Sequence, residues 1–383
     1  MGRPITLLHT ADVHLGASFP YLGPRGKDHR RQVSETFKRM AEEALSRRVD
    51  LFLVAGDLFD SAAPSKGSVE LALAELRRLG EAGITVALAP GTHDHDGPDS
   101  IWRLVPFEEK VPGLQLLIGE EVVERMIPAL GLTLIARPNT TNASPESPMR
   151  GVNGKGREGL VVGVAHGSVA LGDLLGEGDF PIAPGEIASS GLNYLALGHW
   201  HKPADYSRGG VTAWYFGSPE VLYPKDIGAG RVLLVTVTEQ ETVVESLEVG
   251  RCRTENLTLS IEEHPEASTL EAAIRSLADP DSMLDVRLIG LKPLDCSWTT
   301  HTLEEMEEVL APHFYFLRIT DGAHSRLEAE ALDRHPEATV AGRFVRFMAK
   351  RLGSAKGDDE RRVVEEALQV GLALLDGREG VLE

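Results

Sequence analysis

Short apolar runs and helical periods alternate along the first third of the chain. Ile5–His9 is an apolar run of strand length. Val33, Phe37, Met40, Ala41, Ala44 and Leu45 then recur at helical spacing and predict a helix from about Asp28 to Arg47. Leu51–Ala55 reads as a second buried strand. Ser68–Gly80, with Val69, Leu73, Leu76 and Leu79 on one face, reads as a second helix, and Ile84–Ala89 as a third strand. This βαβαβ order argues for a largely parallel, helix-covered sheet. Beyond residue 110 the runs are strand-like: Leu114–Ile118, Leu132–Ala136, Leu160–Ala165, Tyr194–Leu197, Ala213–Phe216, Val232–Val237 and Val243–Val249. Few helices intervene, so this part is expected to form a second sheet packed on the first. Asn139–Gly159, rich in Asn, Ser, Pro and Gly, is expected to be a mobile surface loop.

A break near residues 250–256 (GRCRTEN) opens another region, with strands near 285–291 and 314–319, a helix near 303–311 and a last helix, Arg361–Leu375, apolar over more than one face. The expected domains are residues 1–250 and 257–383, in keeping with 383 residues. No apolar run reaches the ~20 residues needed to cross a bilayer. The N-terminal run is too short for a signal peptide, and Gly2, which fits a loose myristoylation pattern, leads straight into a strand. Two cysteines, Cys252 and Cys296, make neither a disulfide framework nor a metal spacing. The expectation is a cytoplasmic protein with no membrane segment. The net charge of −19 argues against wrapping nucleic acid with the whole surface, so a polyanionic substrate would need local basic groups or bound metal.

Five polar clusters stand where apolar strands stop: Asp12-Val13-His14, Gly56-Asp57-Leu58-Phe59-Asp60, Gly91-Thr92-His93-Asp94, Ala165-His166-Gly167 and Gly198-His199-Trp200-His201. Ligand sites in α/β sheets gather outside the carboxyl ends of strands. Imidazole with carboxylate suits manganese, iron, cobalt or zinc. Two such ions ~3.5–4 Å apart can clamp a phosphoryl group and activate water. A single Asp-x-His is weak evidence, since most lone histidines are satisfied core residues. Five clusters in this order are hard to ascribe to chance.

The order of these motifs resembles that of the calcineurin-like metallophosphoesterases. LLHTADVHLG, FLVAGDLFD, YLALGHWHKP and YFGSPE are similar to SbcD-type DNA exonucleases, nuclease subunits of double-strand-break repair complexes, over roughly residues 5–238. The resemblance implies a two-sheet β-sandwich flanked by helices, with a smaller α+β C-terminal capping domain. It implies two divalent ions, manganese by family habit. Asp12, His14 and His201 would bind the first, His166 and His199 the second, and Asp57 would bridge them. His93 would be the general acid, with Asp60 and Asp94 orienting histidines. The superfamily motif Gly-Asn-His-Asp supplies its asparagine to the second ion. Thr92 stands there, a shorter and weaker neutral ligand, and His95 or Asp96 could compensate. DNA is the implied substrate. Arg25, Lys27, Arg30 and Arg31 are the basic cluster that could meet its phosphates, and Phe19 and Tyr21 could stack on bases or simply cover the core. An SbcC-type ATPase, contacted by the last helix, and a second copy of the chain are the implied partners. Two rival readings stand beside this one: a phosphoesterase of nucleotides or other small esters, and a structural subunit weakened at Thr92.

Overall fold

The computed structural model describes residues 3–170, 178–292, 299–325 and 335–375; Gly2 and Cys296 lie outside them. Its contacts divide the chain into two compact units, Met1–Thr254 and Glu255–Glu383. In the first unit the strands run β1 (Ile5–Thr10), β2 (Leu51–Ala55), β3 (Thr85–Ala89), β4 (Leu114–Leu116), β5 (Val123–Ile127), β6 (Leu132–Ala136), β7 (Leu160–His166), β8 (Ser168–Val169), β9 (Pro181–Ile182), β10 (Tyr194–Gly198), β11 (Ala204–Asp205), β12 (Thr212–Tyr215), β13 (Arg231–Val237) and β14 (Thr242–Glu248). Two mixed six-stranded sheets result, ordered β14-β13-β1-β2-β3-β4 and β11-β12-β10-β7-β6-β5. The fold is the mixed α/β, two-sheet arrangement expected of the motif order.

β2 is buried at every position because both its faces are covered. Helices α1 (Gly26–Arg47) and α2 (Lys66–Glu81) lie on one side. There Phe37 of α1 meets Phe52 edge-on, and Met40 Sδ accepts from the Thr10 hydroxyl (3.4 Å). On the other side β2 touches β7 and β10 of the second sheet. The sheets are tied through their middle by a hydrogen bond between His9 Nδ1 on β1 and the Tyr194 hydroxyl on β10 (2.8 Å). Burial pushes His9 down to about 3, so it is a neutral core imidazole at pH 7.

Two expectations need correction. β4, β13 and β14 do not join the second sheet. β13 returns antiparallel to β1, from Ile5 opposite Val237 to His9 opposite Leu233, and so closes what would be an open edge. Asn139–Gly159 is not a free surface loop: Asn139, Met149 and Val152 are buried, the last two in the core of the second sheet. The two units part after Thr254, within the 250–256 segment, and the strand Arg253–Ser260 starts there and opens a three-stranded sheet with Ser282–Ile289 and Phe316–Asp321. In that second unit helices Ala267–Arg275 and Thr300–Leu310 bury Leu270, Ile274, Leu303, Met306 and Leu310 against the sheet.

The last helix runs Asp358–Leu375 and packs along Val340–Gly353, burying Val364, Leu368 and Leu372 with Val345 and Met348. Part of its apolar surface is therefore used within its own unit, while Val363 and Leu374 stay exposed. No helix among the described residues is long and apolar enough to cross a membrane.

Removing the Tyr194 hydroxyl while keeping the ring strips a buried imidazole of its partner. Tyr194→Phe is expected to cost about 1–3 kcal/mol in urea unfolding at pH 7. A loss near zero would mean that this bond does not tie the sheets.

Candidate metal centre

The parallel strands β1, β2 and β3 end at one rim, and β7 and β10 end there too. The loops after β1 and β2 are zipped together: Asp12 N–H donates to Gly56 O (3.1 Å), and the N–H groups of Val13 and His14 both donate to Asp57 O (2.9 and 3.1 Å). These loops carry unusual backbone. Asp12 (φ 45°), His14 (φ 50°), Asp57 (φ 51°) and His199 (φ 107°) all occupy positive φ without being glycine. Such conformations cost about 1–3 kcal/mol each and persist only where surroundings enforce them. Two glycines are required by closeness. A Cβ on Gly56 would fall on His166 Nδ1, and one on Gly91 would fall on the Asp57 carboxylate.

The side chains converge in overlapping sets whose ligand atoms lie within 4.8 Å of one another: Asp12 with His14 and His201, Asp12 with Asp57 and His166, and His14 with Asp60 and His93. Asp57 Oδ2 stands between the first two, 3.2 Å from His166 Nε2 and 3.8 Å from His14 Nε2. Asp12 and Asp57 are almost wholly buried. Each imidazole is turned by a bond at its other nitrogen. His166 Nδ1–H donates to Ala55 O (2.9 Å), His14 Nδ1–H to Asp60 (3.1 Å), and His201 Nδ1–H to Asp226 (3.2 Å). This leaves His14 Nε2 and His166 Nε2 buried without any hydrogen-bond partner. Buried polar atoms are seldom orphaned. Two orphaned nitrogens facing two buried carboxylates fit a divalent cation, and the oxygen and imidazole donors fit manganese, iron, cobalt or zinc.

Thr92 is at this centre. Its hydroxyl donates to Asp57 Oδ2 (3.2 Å), so it spends its proton on the carboxylate. Of its neighbours, Asp96 is held by Arg103 (2.7 and 2.9 Å), and His95 Nδ1 faces Thr92 O. His93 is the half-exposed member, with its N–H on Asp57 Oδ1 (2.8 Å) and its ring edge-on to His14 at 4.6 Å.

His199 falls outside the three sets. Its N–H donates to both oxygens of Asp12 (3.0 and 3.1 Å), its ring lies 5.2 Å from that of His166, and its Nε2–H is engaged by Asp179 (2.8 Å). Nδ1 is the ring atom left to act. Asp60 meets a histidine ring, whereas Asp94 meets main chain. It clamps two backbone N–H groups, Gly91 (2.7 Å) and Phe59 (3.1 Å), and so locks the loops after β2 and β3 together. Burial and the charge of Asp57 push Asp94 up to about 7.

Of the basic cluster, Arg30 props the loop after His14 through Ala17 O (2.9 Å), Arg31 pairs with Asp28 (3.3 Å), and Arg25 and Lys27 are exposed. Phe19 is buried against His29, and Tyr21 donates to Leu222 O (2.7 Å), so Phe19 covers the core. Sequence reasoning missed Asp179, Asp226 and Asn139, whose amide donates to His166 O (3.1 Å). None stands in a motif, and no local spacing links Asp226 to a histidine 25 residues earlier.

Burial alone would lower His166, but the charges of Asp57 and Asp12 outweigh it and raise it to about 9. His14 is raised as well: Asp60, Asp57 and Asp12 overcome its burial. An ion binding at His166 Nε2 must displace that proton. Affinity for a divalent ion, measured by titration calorimetry, should rise at least tenfold per unit from pH 7 and flatten above about 9. A flat affinity across that window would exclude His166 as a ligand.

Residues 5–136 match the family model described as calcineurin-like phosphoesterase. The chain is 28% identical to the uncharacterized metallophosphoesterase YhaO of Bacillus subtilis (strain 168), over 63% of this chain and 59% of the relative. It is 29% identical to the DNA double-strand break repair protein Mre11 of Aeropyrum pernix (64% and 61%) and 26% identical to a component of the nuclease SbcCD of Rhodobacter capsulatus (58% and 64%). The match spans less than two thirds of each of these relatives' length. A solved structure, TT1561 of Thermus thermophilus, superimposes with a TM-score of 0.41 at 13% identity, over 64% of this chain and 100% of that one. The family match and the motif order it contains establish that the chain carries a calcineurin-like metallophosphoesterase domain.

Proposed function

We propose that this chain is a metal-dependent phosphodiesterase of nuclease type that cleaves DNA with two ions, manganese by preference. The observation that carries the reading is the pair of orphaned imidazole nitrogens, His14 Nε2 and His166 Nε2, facing the buried Asp12 and Asp57. One relative named as a DNA double-strand break repair protein and another named as part of a nuclease favour DNA over small esters. In this reading Asp12, His14 and His201 would hold one ion and His166 and His199 the other, with Asp57 serving both. Thr92 adds a hydroxyl in place of an amide. When bound, the ion pair supplies Lewis acidity and an activated water.

The chain's own residues do the rest. Asp60, Asp179 and Asp226 fix the tautomers of His14, His199 and His201 by accepting the proton of the nitrogen that faces away. Asp94 holds the Gly91 and Phe59 N–H groups, and with them the positions of Asp57 and His93. His93, half exposed beside His14, protonates the departing sugar oxygen. An SbcC-type ATPase would meet the exposed Val363 and Leu374, and a second copy of the chain completes the proposed assembly.

The test is cleavage of linear DNA by the purified chain with manganese. Wild type should cleave, and His93→Ala should lower kcat by about 10²–10⁴-fold with metal content unchanged. Turnover of nitrophenyl phosphate without DNA cleavage would support the small-ester reading. Loss of the ions in His93→Ala would overturn its role as acid.

A further inference from the structure

The segment after β12 ends in a tight turn at the centre, Tyr223–Asp226, and this turn is pinned on both sides. Its start is held through Glu220, a fully buried carboxylate that accepts from the Thr36 hydroxyl (2.8 Å) and from the N–H groups of Arg251 (3.0 Å) and Cys252 (2.9 Å). Its end is held by Asp226, also buried. One oxygen, Oδ2, takes both His201 Nδ1–H (3.2 Å) and the Tyr223 N–H (2.9 Å). The carboxylate that orients a metal-facing histidine therefore also fixes the turn that carries Tyr223 and Lys225.

Both side chains are exposed beside the centre. The Tyr223 ring lies parallel to that of His201, 7° apart with centroids at 6.2 Å, and near-parallel to Tyr21 at 6.0 Å. It remains 46% exposed, unusual for a large ring so firmly fixed. Lys225 Nζ stands 5.7 Å from the Tyr223 centroid. Among the described residues no carboxylate pairs with it, in a chain of net charge −19.

An unpaired ammonium and a pre-ordered aromatic, on a turn locked to a metal-facing histidine, match the two groups a nucleotide offers: a phosphate and a flat base. A solvated surface pair would need neither the Asp226 clamp nor the parallel stack on His201. We propose that Tyr223 and Lys225 form the subsite for the nucleotide next to the scissile phosphate, the ring against its base and the ammonium on its phosphate. The proposal rests on the reading of the chain as a DNA phosphodiesterase and adds how the substrate is held. It moves the basic contact from Arg25, Lys27, Arg30 and Arg31 to Lys225.

The test compares manganese-dependent cleavage of a DNA oligonucleotide with cleavage of the same sugar–phosphate backbone carrying abasic sites. Tyr223→Ala should raise KM about tenfold on the intact oligonucleotide and leave KM on the abasic one nearly unmoved. Tyr223→Phe, which keeps the ring, should restore KM on intact DNA. Lys225→Ala should reduce the slope of log KM against log salt by about one on both substrates. An equal rise on both substrates with Tyr223→Ala, or none on either, would overturn the base contact. An unchanged salt slope with Lys225→Ala would overturn the phosphate contact. If wild type turned over bis-nitrophenyl phosphate but neither oligonucleotide, the DNA reading itself would fall and the subsite with it, an outcome distinct from active wild type with indifferent variants.

Discussion

Two carboxylates, Asp12 and Asp57, are buried almost completely at the rim where five strands end, and no Lys or Arg side chain pairs with them among the described residues. Burying one ionised carboxylate without compensation is costly, and burying two side by side is more so. The compensation present in the chain is imidazole: His14 and His166 are raised toward the charged form by these carboxylates, and Asp57 is held well below the usual carboxylate range by His166 and His14 in spite of its burial. Protons on these rings are a substitute for stronger cations. Divalent ions would neutralise the carboxylates, engage the orphaned Nε2 atoms and release those protons in one step. Much of the local structure serves to hold this cluster together.

That service is visible in the backbone. Four non-glycine residues of the site sit at positive φ, and the paired loops after β1 and β2 hold three of them there through Asp57 O and Gly56 O. Gly56 and Gly91 let the imidazole of His166 and the carboxylate of Asp57 press against main chain that any side chain would displace. Asp94 adds a clamp from the β3 loop. Each device costs stability at the rim and is offset by the two-sided burial of β1, β2 and β3 behind it.

The strands were legible because each is a compact apolar run: Leu51–Ala55 and Leu132–Ala136 have the same ends in sequence and structure. Which sheet each strand joins was not legible. An apolar run announces burial on both faces and says nothing about its neighbour, so β13 and β14 were assigned by chain order to the wrong sheet. The centre was readable where chemistry is local, as in Asp12-Val13-His14 or Asp57 with Asp60. It was not readable where a partner arrives through space. Asp179 and Asp226 turn His199 and His201 from distant loops, and Asp94, adjacent to His93 in sequence, serves backbone instead of a ring. The run YFGSPE stood out by wording alone. Its Glu220 proves to be a buried knot joining α1, the Tyr223 turn and the segment at Arg251.

The central claim is that this rim holds a pair of cations around Asp57. Anomalous diffraction from crystals grown with manganese measures it most directly. The account predicts two peaks about 3.5–4 Å apart, one on the His14 and His201 side of Asp57 and the other on the His166 side. A single peak away from Asp57, or none at saturating manganese, would contradict it.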